Sequence, residues 1–265
     1  MFKLYNKYIA IITAENKEKF ISHAIYNCLR LLGSNLKIIV VYTNLSNEII
    51  LRNKFKEHRN VIFFKVKIKK NYPTQDQLHK IERSLIFVKN EWVLLLDGDD
   101  LFKLNKIKTL DKLKLDKRIV YLHNHEKKIE KYKKIYNNQN YKKNIIYKKL
   151  LNDWPKNIIT SSIVINGFLL NKFFKNNKPY RWKFLAVDVQ LILYFFYKNK
   201  FKYIDKILTT KNENINNLDK SFSNKNKKIF WLRRMEQHNF TKELSGKINL
   251  LDRFITFIFL KFLKL

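Results

Sequence analysis

Apolar and polar positions along the first hundred residues fall into two alternating patterns. "YIAIIT" (8–13) is a compact apolar run, and "KEKFISHAIYNCLRLLG" after it sets Phe20, Ala24 and Leu31 at helical spacing, with Gly33 where a helix would stop. "KIIVVYT" (37–43) is a second run, rich in β-branched residues, and "SNEIILRNKFKEH" reads as a helix opened by a Ser46 cap. "VIFFKV" (61–66) predicts a third strand and "WVLLLD" (92–97) a fourth. Between them "TQDQLHKIERSLIFV" (74–88) predicts a helix with Leu78, Ile81, Leu85 and Val88 on one face.

The alternation loosens further along. "KRIVYLHNHEKK" (117–128) and "ITSSIVIN" (159–166) read as strands, and the Lys-, Asn- and Tyr-rich stretch 127–150 as a mobile surface excursion. "LAVDVQLILYFFYKNK" (185–200) is a strongly apolar helix carrying one acid, Asp188, and "FKYIDKILTTK" a final strand. From 216 a polar loop leads to two helices, near 224–245 and 248–265. This order predicts an α/β fold with a mostly parallel sheet flanked by helices. The main domain spans 1–215 and a helical C-terminal extension 216–265. Ligands of such sheets bind at the carboxyl ends of the strands, and Asp97, Gly98, Asp99 and Asp100 stand at such an end.

Composition narrows the class. With 46% hydrophobic and 15% aromatic residues the chain has ample material for a packed core. A single cysteine, Cys28, excludes an intrachain disulfide and four-cysteine zinc sites, and fits a reducing compartment. The net charge of +33 is carried by lysines scattered over the whole chain, with no basic stripe. That distribution argues against a nucleic-acid-binding protein and fits the Lys-, Asn-, Ile- and Phe-rich composition of proteins from AT-rich genomes; a general attraction to anionic membranes still follows from the charge. The opening "MFKLYNKYIAIIT" is too short in its apolar run for a signal peptide, and no stretch reaches the ~20 apolar residues of a membrane-spanning helix. A cytoplasmic location is therefore expected.

The acid cluster carries the chemistry. Two carboxylates one residue apart on a tight turn can converge on Mg²⁺ or Mn²⁺, which in turn can hold the oxygens of a diphosphate. Glycine between them lets the backbone approach a ligand. The plainer alternative is a solvated acidic turn capping the next helix. Phosphohydrolases of the haloacid dehalogenase class share a strand followed by DxD, but there the pattern continues with Gly and Thr on the first strand. Here Asp100 and Leu101 follow, after three earlier strands.

At four places the chain resembles a bacterial family 2 glycosyltransferase of the GT-A fold. These are "TAENKEKFISHAI" with Asn16, "LKIIVVYT", "EWVLLLDGDDLF", and "LAVDVQLIL", which is similar to the family's Glu-Asp helix start. "WPKNIITSSIVI" and "FWLRRMEQHNF" resemble a bacterial subgroup, so the resemblance spans residues 8–240. It implies a GT-A-type, Rossmann-like domain, a nucleotide-sugar donor, a divalent metal and inversion at the anomeric carbon. By the same resemblance Asp99 would ligate the metal, and Asp97 would contact the donor ribose or support the metal through water. Asp188 would be the general base, a role one carboxylate can fill when a metal neutralises the leaving diphosphate. Lys80 and Arg83, about one turn apart, would help bind the diphosphate; a solvated helix face explains each equally well. His123 and His125 alternate on a strand and are read as structural.

The departures are specific. Thr13, Ala14, Glu15 and Asn16 stand where the family commonly shows Pro-Thr-Tyr-Asn. Tyr42, Thr43, Asn44, Leu45 and Ser46 stand where it carries Asp-Asp-Gly-Ser, so the carboxylate that grips the nucleobase is missing. Thr13, Glu15 or Thr43 would then recognise the base. Val187 replaces the Glu of the Glu-Asp pair. A non-catalytic binding protein on the same fold is the alternative.

The tail "LLDRFITFIFLKFLKL" sets Arg253, Lys261 and Lys264 in one sector of a helix, with apolar residues filling most of the rest. It suits a helix lying in a membrane interface, or one packed on the domain or on a second subunit. Together these readings give an enzyme on the inner membrane face, acting on a glycan or lipid-linked acceptor of the cell envelope.

Overall fold

A computed structural model of the chain describes residues 7–15, 18–31, 36–67, 72–129, 132–136, 158–212, 224, 227–247 and 249–263. Asn16, Gly33, Lys264 and residues 137–150 lie outside the described residues.

β1 (Tyr8–Ala14), α1 (Glu18–Leu29), β2 (Leu36–Tyr42), α2 (Glu48–Lys54), β3 (Val61–Lys65), α3 (Pro73–Ser84) and β4 (Trp92–Asp97) follow in strict alternation. The four strands pair in parallel in the order β3-β2-β1-β4. The unbroken apolar runs of β1, β2 and β4 reflect burial on both faces, while β3 at the sheet edge is half-buried, and the side chains divide with period two. Ile9, Ile11, Val93 and Leu95 face one core with Leu78 and Ile81 of α3. Tyr8, Ala10, Ile12, Leu94 and Leu96 face the other with Ile21, Ala24 and Cys28 of α1.

Beyond β4 the sheet becomes mixed. β5 (Leu101–Phe102), α4 (Lys106–Lys112), β6 (Val120–Ile129), β7 (Tyr132–Tyr136), β8 (Ile163–Asn166), α5 (Gly167–Asn177), α6 (Val187–Tyr197) and β9 (Phe201–Asn212) complete it. β8 runs antiparallel to β4 and β6, β9 runs parallel to β6, and β5 pairs antiparallel with β9. The β5–β9 pair puts Thr210 opposite Leu101, so the end of β9 lies beside the acidic turn. α7 (Lys228–Ser245) buries Phe240 in the α3 core, and α8 (Leu250–Phe262) packs on α7.

Several local readings are corrected. α2 starts at Glu48, not after a Ser46 cap; Asn47 takes the N-cap place in the left-handed region (φ 60°) with no side-chain cap bond. The Glu48 carboxylate instead receives Tyr42, Arg52 and Lys65. Part of the supposed surface excursion is β7, which pairs with β6. "ITSSIVIN" opens as a 3₁₀ turn (Thr160–Ser162) before β8, because the Ser162 hydroxyl donates back to the Ile159 carbonyl at 2.7 Å. β5, α4 and α5 had no counterpart in the pattern. α5 begins at Gly167, where a Cβ would lie 2.4 Å from Val88 Cγ1 and 2.8 Å from the Lys89 carbonyl oxygen.

Candidate active site

β1 and β4 end side by side, with Thr13 opposite Asp97 in the parallel register. The chain then turns: Gly98 N–H donates to the Thr13 carbonyl at 3.1 Å, and Asp100 N–H to the Asp97 carbonyl at 2.9 Å. A Cβ at Gly98 would sit 3.1 Å from that Thr13 oxygen, so glycine is what lets the turn lie flat against β1. Asp97 Oδ1 accepts from Gln77 Nε2 at 2.7 Å, and Thr13 Oγ1 lies 3.5 Å from it.

Asp100 has a different surrounding. It is fully buried and accepts from Ser161 Oγ at 2.7 Å and Asn212 N–H at 3.2 Å. The Ser161 hydroxyl oxygen also accepts from Asp97 N–H at 3.0 Å, and Asn212 Nδ2 donates to the Asp99 carbonyl at 2.6 Å. Ser161 is thus the hub joining β4, the turn and β9. Below it, buried Lys106 donates to the Ser161 carbonyl at 3.2 Å and to Thr209 Oγ1 at 3.3 Å. Burial pulls the Lys106 ammonium well below its usual range.

The turn is electrostatically loaded. Burial, then the charges of Asp100, Asp99 and Asp188, hold the Asp97 carboxyl well above the usual carboxylate range, against relief from Lys211. Burial and the Asp99 charge push Asp100 up to about 7. Asp188 enters this field from 89 residues away: it stands in the first turn of α6, where its carboxylate accepts Val189 N–H at 2.8 Å. The charges of Asp99, Asp100, Asp188 and Lys211 therefore all act on the Asp97 carboxyl.

The remaining predicted residues divide. Lys80 is buried at the edge of the site, donating to the Ala14 carbonyl at 3.1 Å and paired with Asp76 at 2.6 Å and Glu15 at 3.5 Å. It brings exposed Glu15 to the end of β1. Thr43 is half-buried just past β2, beside the Tyr42–Glu48–Arg52 cluster. Arg83 is exposed farther along α3, where its charge reaches the Tyr180 hydroxyl rather than the acidic turn. His123 and His125 are buried, and burial pulls His125 down to about 4. The sequence reading missed Gln77, Ser161, Lys211 and Asn212. Gln77 alone had a usable signal, one turn before Lys80 on the helix facing the acidic strand.

No three His, Cys, Asp or Glu side chains among the described residues converge to hold a metal unaided. The turn nonetheless fits a divalent cation. Carboxylates crowded on one turn at the end of a buried strand are a favourable setting for one, and Mg²⁺-type sites commonly use one or two carboxylates plus substrate phosphates.

No protein-family model matches the chain, and no curated protein matches it. Solved structures do. S. aureus TarS 1–349 in complex with UDP-GlcNAc has a TM-score of 0.61 at 14% identity, over 96% of this chain and 70% of that one. The mannosyltransferase PcManGT from Pyrobaculum calidifontis, in complex with GDP-Man and Mn²⁺, has a TM-score of 0.55 at 12% identity, over 97% and 70%. A putative glucose-1-phosphate thymidylyltransferase from Bacillus anthracis has a TM-score of 0.51 at 12% identity, over 77% and 89%. The fold is that of the GT-A-type glycosyltransferases. At these identities the likeness is one of architecture.

Proposed function

We propose that the protein is an inverting glycosyltransferase that moves a sugar from a nucleoside-diphosphate donor to an acceptor hydroxyl. The observation that carries this reading is the Asp97–Gly98–Asp99 turn at the carboxyl end of β4, with the charge of Asp188, in the first turn of α6, acting on Asp97. Two structural neighbours, TarS and PcManGT, were solved with nucleotide sugars, one of them with Mn²⁺.

In the proposed reaction Asp188 accepts the acceptor's hydroxyl proton as its oxygen attacks the anomeric carbon. The bond from that carbon to the diphosphate oxygen breaks on the opposite face, and the nucleoside diphosphate departs with the electron pair. Asp99, with Asp97 beside it, would hold Mn²⁺ or Mg²⁺ here. A bound cation supplies charge neutralisation for the leaving diphosphate. Gln77 and Thr13 fix Asp97, and Ser161 and Asn212 fix the turn that carries both acids. Thr13, Glu15 and Thr43 line the ends of β1 and β2, where the nucleoside would lie, and Lys80 anchors Glu15 there. The acceptor proposed is a glycan or lipid-linked saccharide of the cell envelope.

The test is release of nucleoside diphosphate from a panel including UDP-GlcNAc and GDP-Man, with Mn²⁺, with and without cell-envelope extract as acceptor. The expected result is acceptor-stimulated release from one donor, reduced roughly 100-fold or more in Asp188→Asn. No release from any donor, or equal release by the variant, would overturn the reading.

A further inference from the structure

α8 packs on α7 and is built inside out. The side chains it buries are polar: Asp252 and Thr256. Asp252 takes a two-pronged contact from Arg234 of α7, with His238 Nε2 at 3.3 Å from the same carboxylate. Asn249 Oδ1 accepts Asp252 N–H at 3.0 Å and caps the helix. Trp231 of α7 stacks on Phe259 at 4.2 Å between ring centroids, with the ring planes nearly parallel. These contacts fix which way α8 is turned.

Outward, the helix presents its apolar side chains. Leu250 is 76% exposed, Phe254 60% and Phe262 79%, with Leu251 and Phe257 also exposed. Met235 and Asn239 of α7 join Leu250, Arg253, Phe254 and Phe257 around a groove of about 640 Å³. Water-facing aromatics at this density are costly unless something covers them.

We infer that this face docks on an anionic lipid bilayer, with α8 lying in the plane of the interface. Two cations inside the apolar face decide between lipid and protein as its cover. Arg253 lines the groove, and Lys261 Nζ lies 5.2 Å from the Phe257 ring centroid. Pressed against a second copy, such cations would lose water with no acid among the described residues that line the groove. At a bilayer their long stems lie along the acyl chains while the charged heads reach lipid phosphates. The chain's net charge of +33 opposes self-association and favours an anionic surface. No helix among the described residues is long and apolar enough to cross a membrane, so the contact is one of lying on it. The inference is independent of the transferase reading.

The full chain and a Phe254→Ser/Phe257→Ser/Phe262→Ser variant are sedimented with vesicles of phosphatidylglycerol and phosphatidylcholine, and of phosphatidylcholine alone. The wild type should pellet with the anionic vesicles roughly tenfold more strongly than the variant, and only weakly with the neutral ones. Because the three side chains are exposed, the variant should keep its circular dichroism and melting temperature. Arg253→Glu should weaken anionic binding while leaving the apolar face intact. Pelleting of the triple variant like wild type would overturn the inference, leaving scattered lysines as the cause. So would a wild-type dimer without vesicles that the triple variant splits, since the face would then belong to a second copy.

Discussion

Asp97 and Asp100 stand three residues apart on one turn and do different work. Asp97 is half-buried, aligned by Gln77, and loaded by three other carboxylates. Asp100 is enclosed, and its oxygens receive Ser161 and Asn212. It ties the turn to β9 and is architectural. Asp100→Ala leaves a buried hydroxyl and a backbone N–H without their acceptor, so urea unfolding should show a loss of roughly 2–4 kcal/mol. A loss below about 0.5 kcal/mol, the size of a surface substitution, would contradict that role. The acids themselves were legible in the sequence because each interrupts an apolar segment. Gln77, Ser161 and Asn212 were not, because a polar residue that reaches a carboxylate looks the same in sequence as one facing water. What distinguishes them is strand register, which sequence pattern does not give.

At the scale of elements, α7 extends the site outward. Glu236, on the side of α7 away from Arg234, accepts Lys183, Phe184 and Leu185 N–H at 2.9, 2.7 and 2.9 Å. These three amides lead directly into α6 and Asp188. Burial raises the Glu236 carboxyl while the same amides oppose the rise. Glu236→Ala should loosen the approach to α6 and lower turnover roughly tenfold or more, with nucleotide affinity changed less than about twofold. Equal losses of turnover and affinity would point to a general structural role. β1, β2, β4, α1 and α3 were legible because each is a run with one period and a buried face; β3 and the short α2 were legible from their place in the alternation. The later elements were less so. β7 depends on its pairing with β6, α5 on the fit of Gly167 against Val88, and the 3₁₀ turn on a serine bonding back to Ile159. None of these leaves a periodic trace.

At the scale of the whole molecule, the parallel half of the sheet brings β1, β2 and β4 to a common edge, and the mixed half returns β9 and α6 to it. That convergence draws together acids 89 residues apart in the chain, while α8 leaves an apolar face exposed. The departures after β1 and β2 leave the nucleobase contacts without a carboxylate of the expected kind; Glu48, at that end of β2, is held by Tyr42, Arg52 and Lys65. The nucleotide is therefore a matter for measurement. The central claim is that the Asp97–Asp99 turn is a metal-dependent diphosphate site, and calorimetric titration of UDP and GDP tests it most directly. The titration is run with and without Mn²⁺, on the wild type and on Asp99→Ala. The account predicts that one nucleotide binds only with Mn²⁺ present and that the variant loses roughly 100-fold in affinity. Binding that ignores both the metal and the substitution, or no binding of either nucleotide with Mn²⁺, would contradict it.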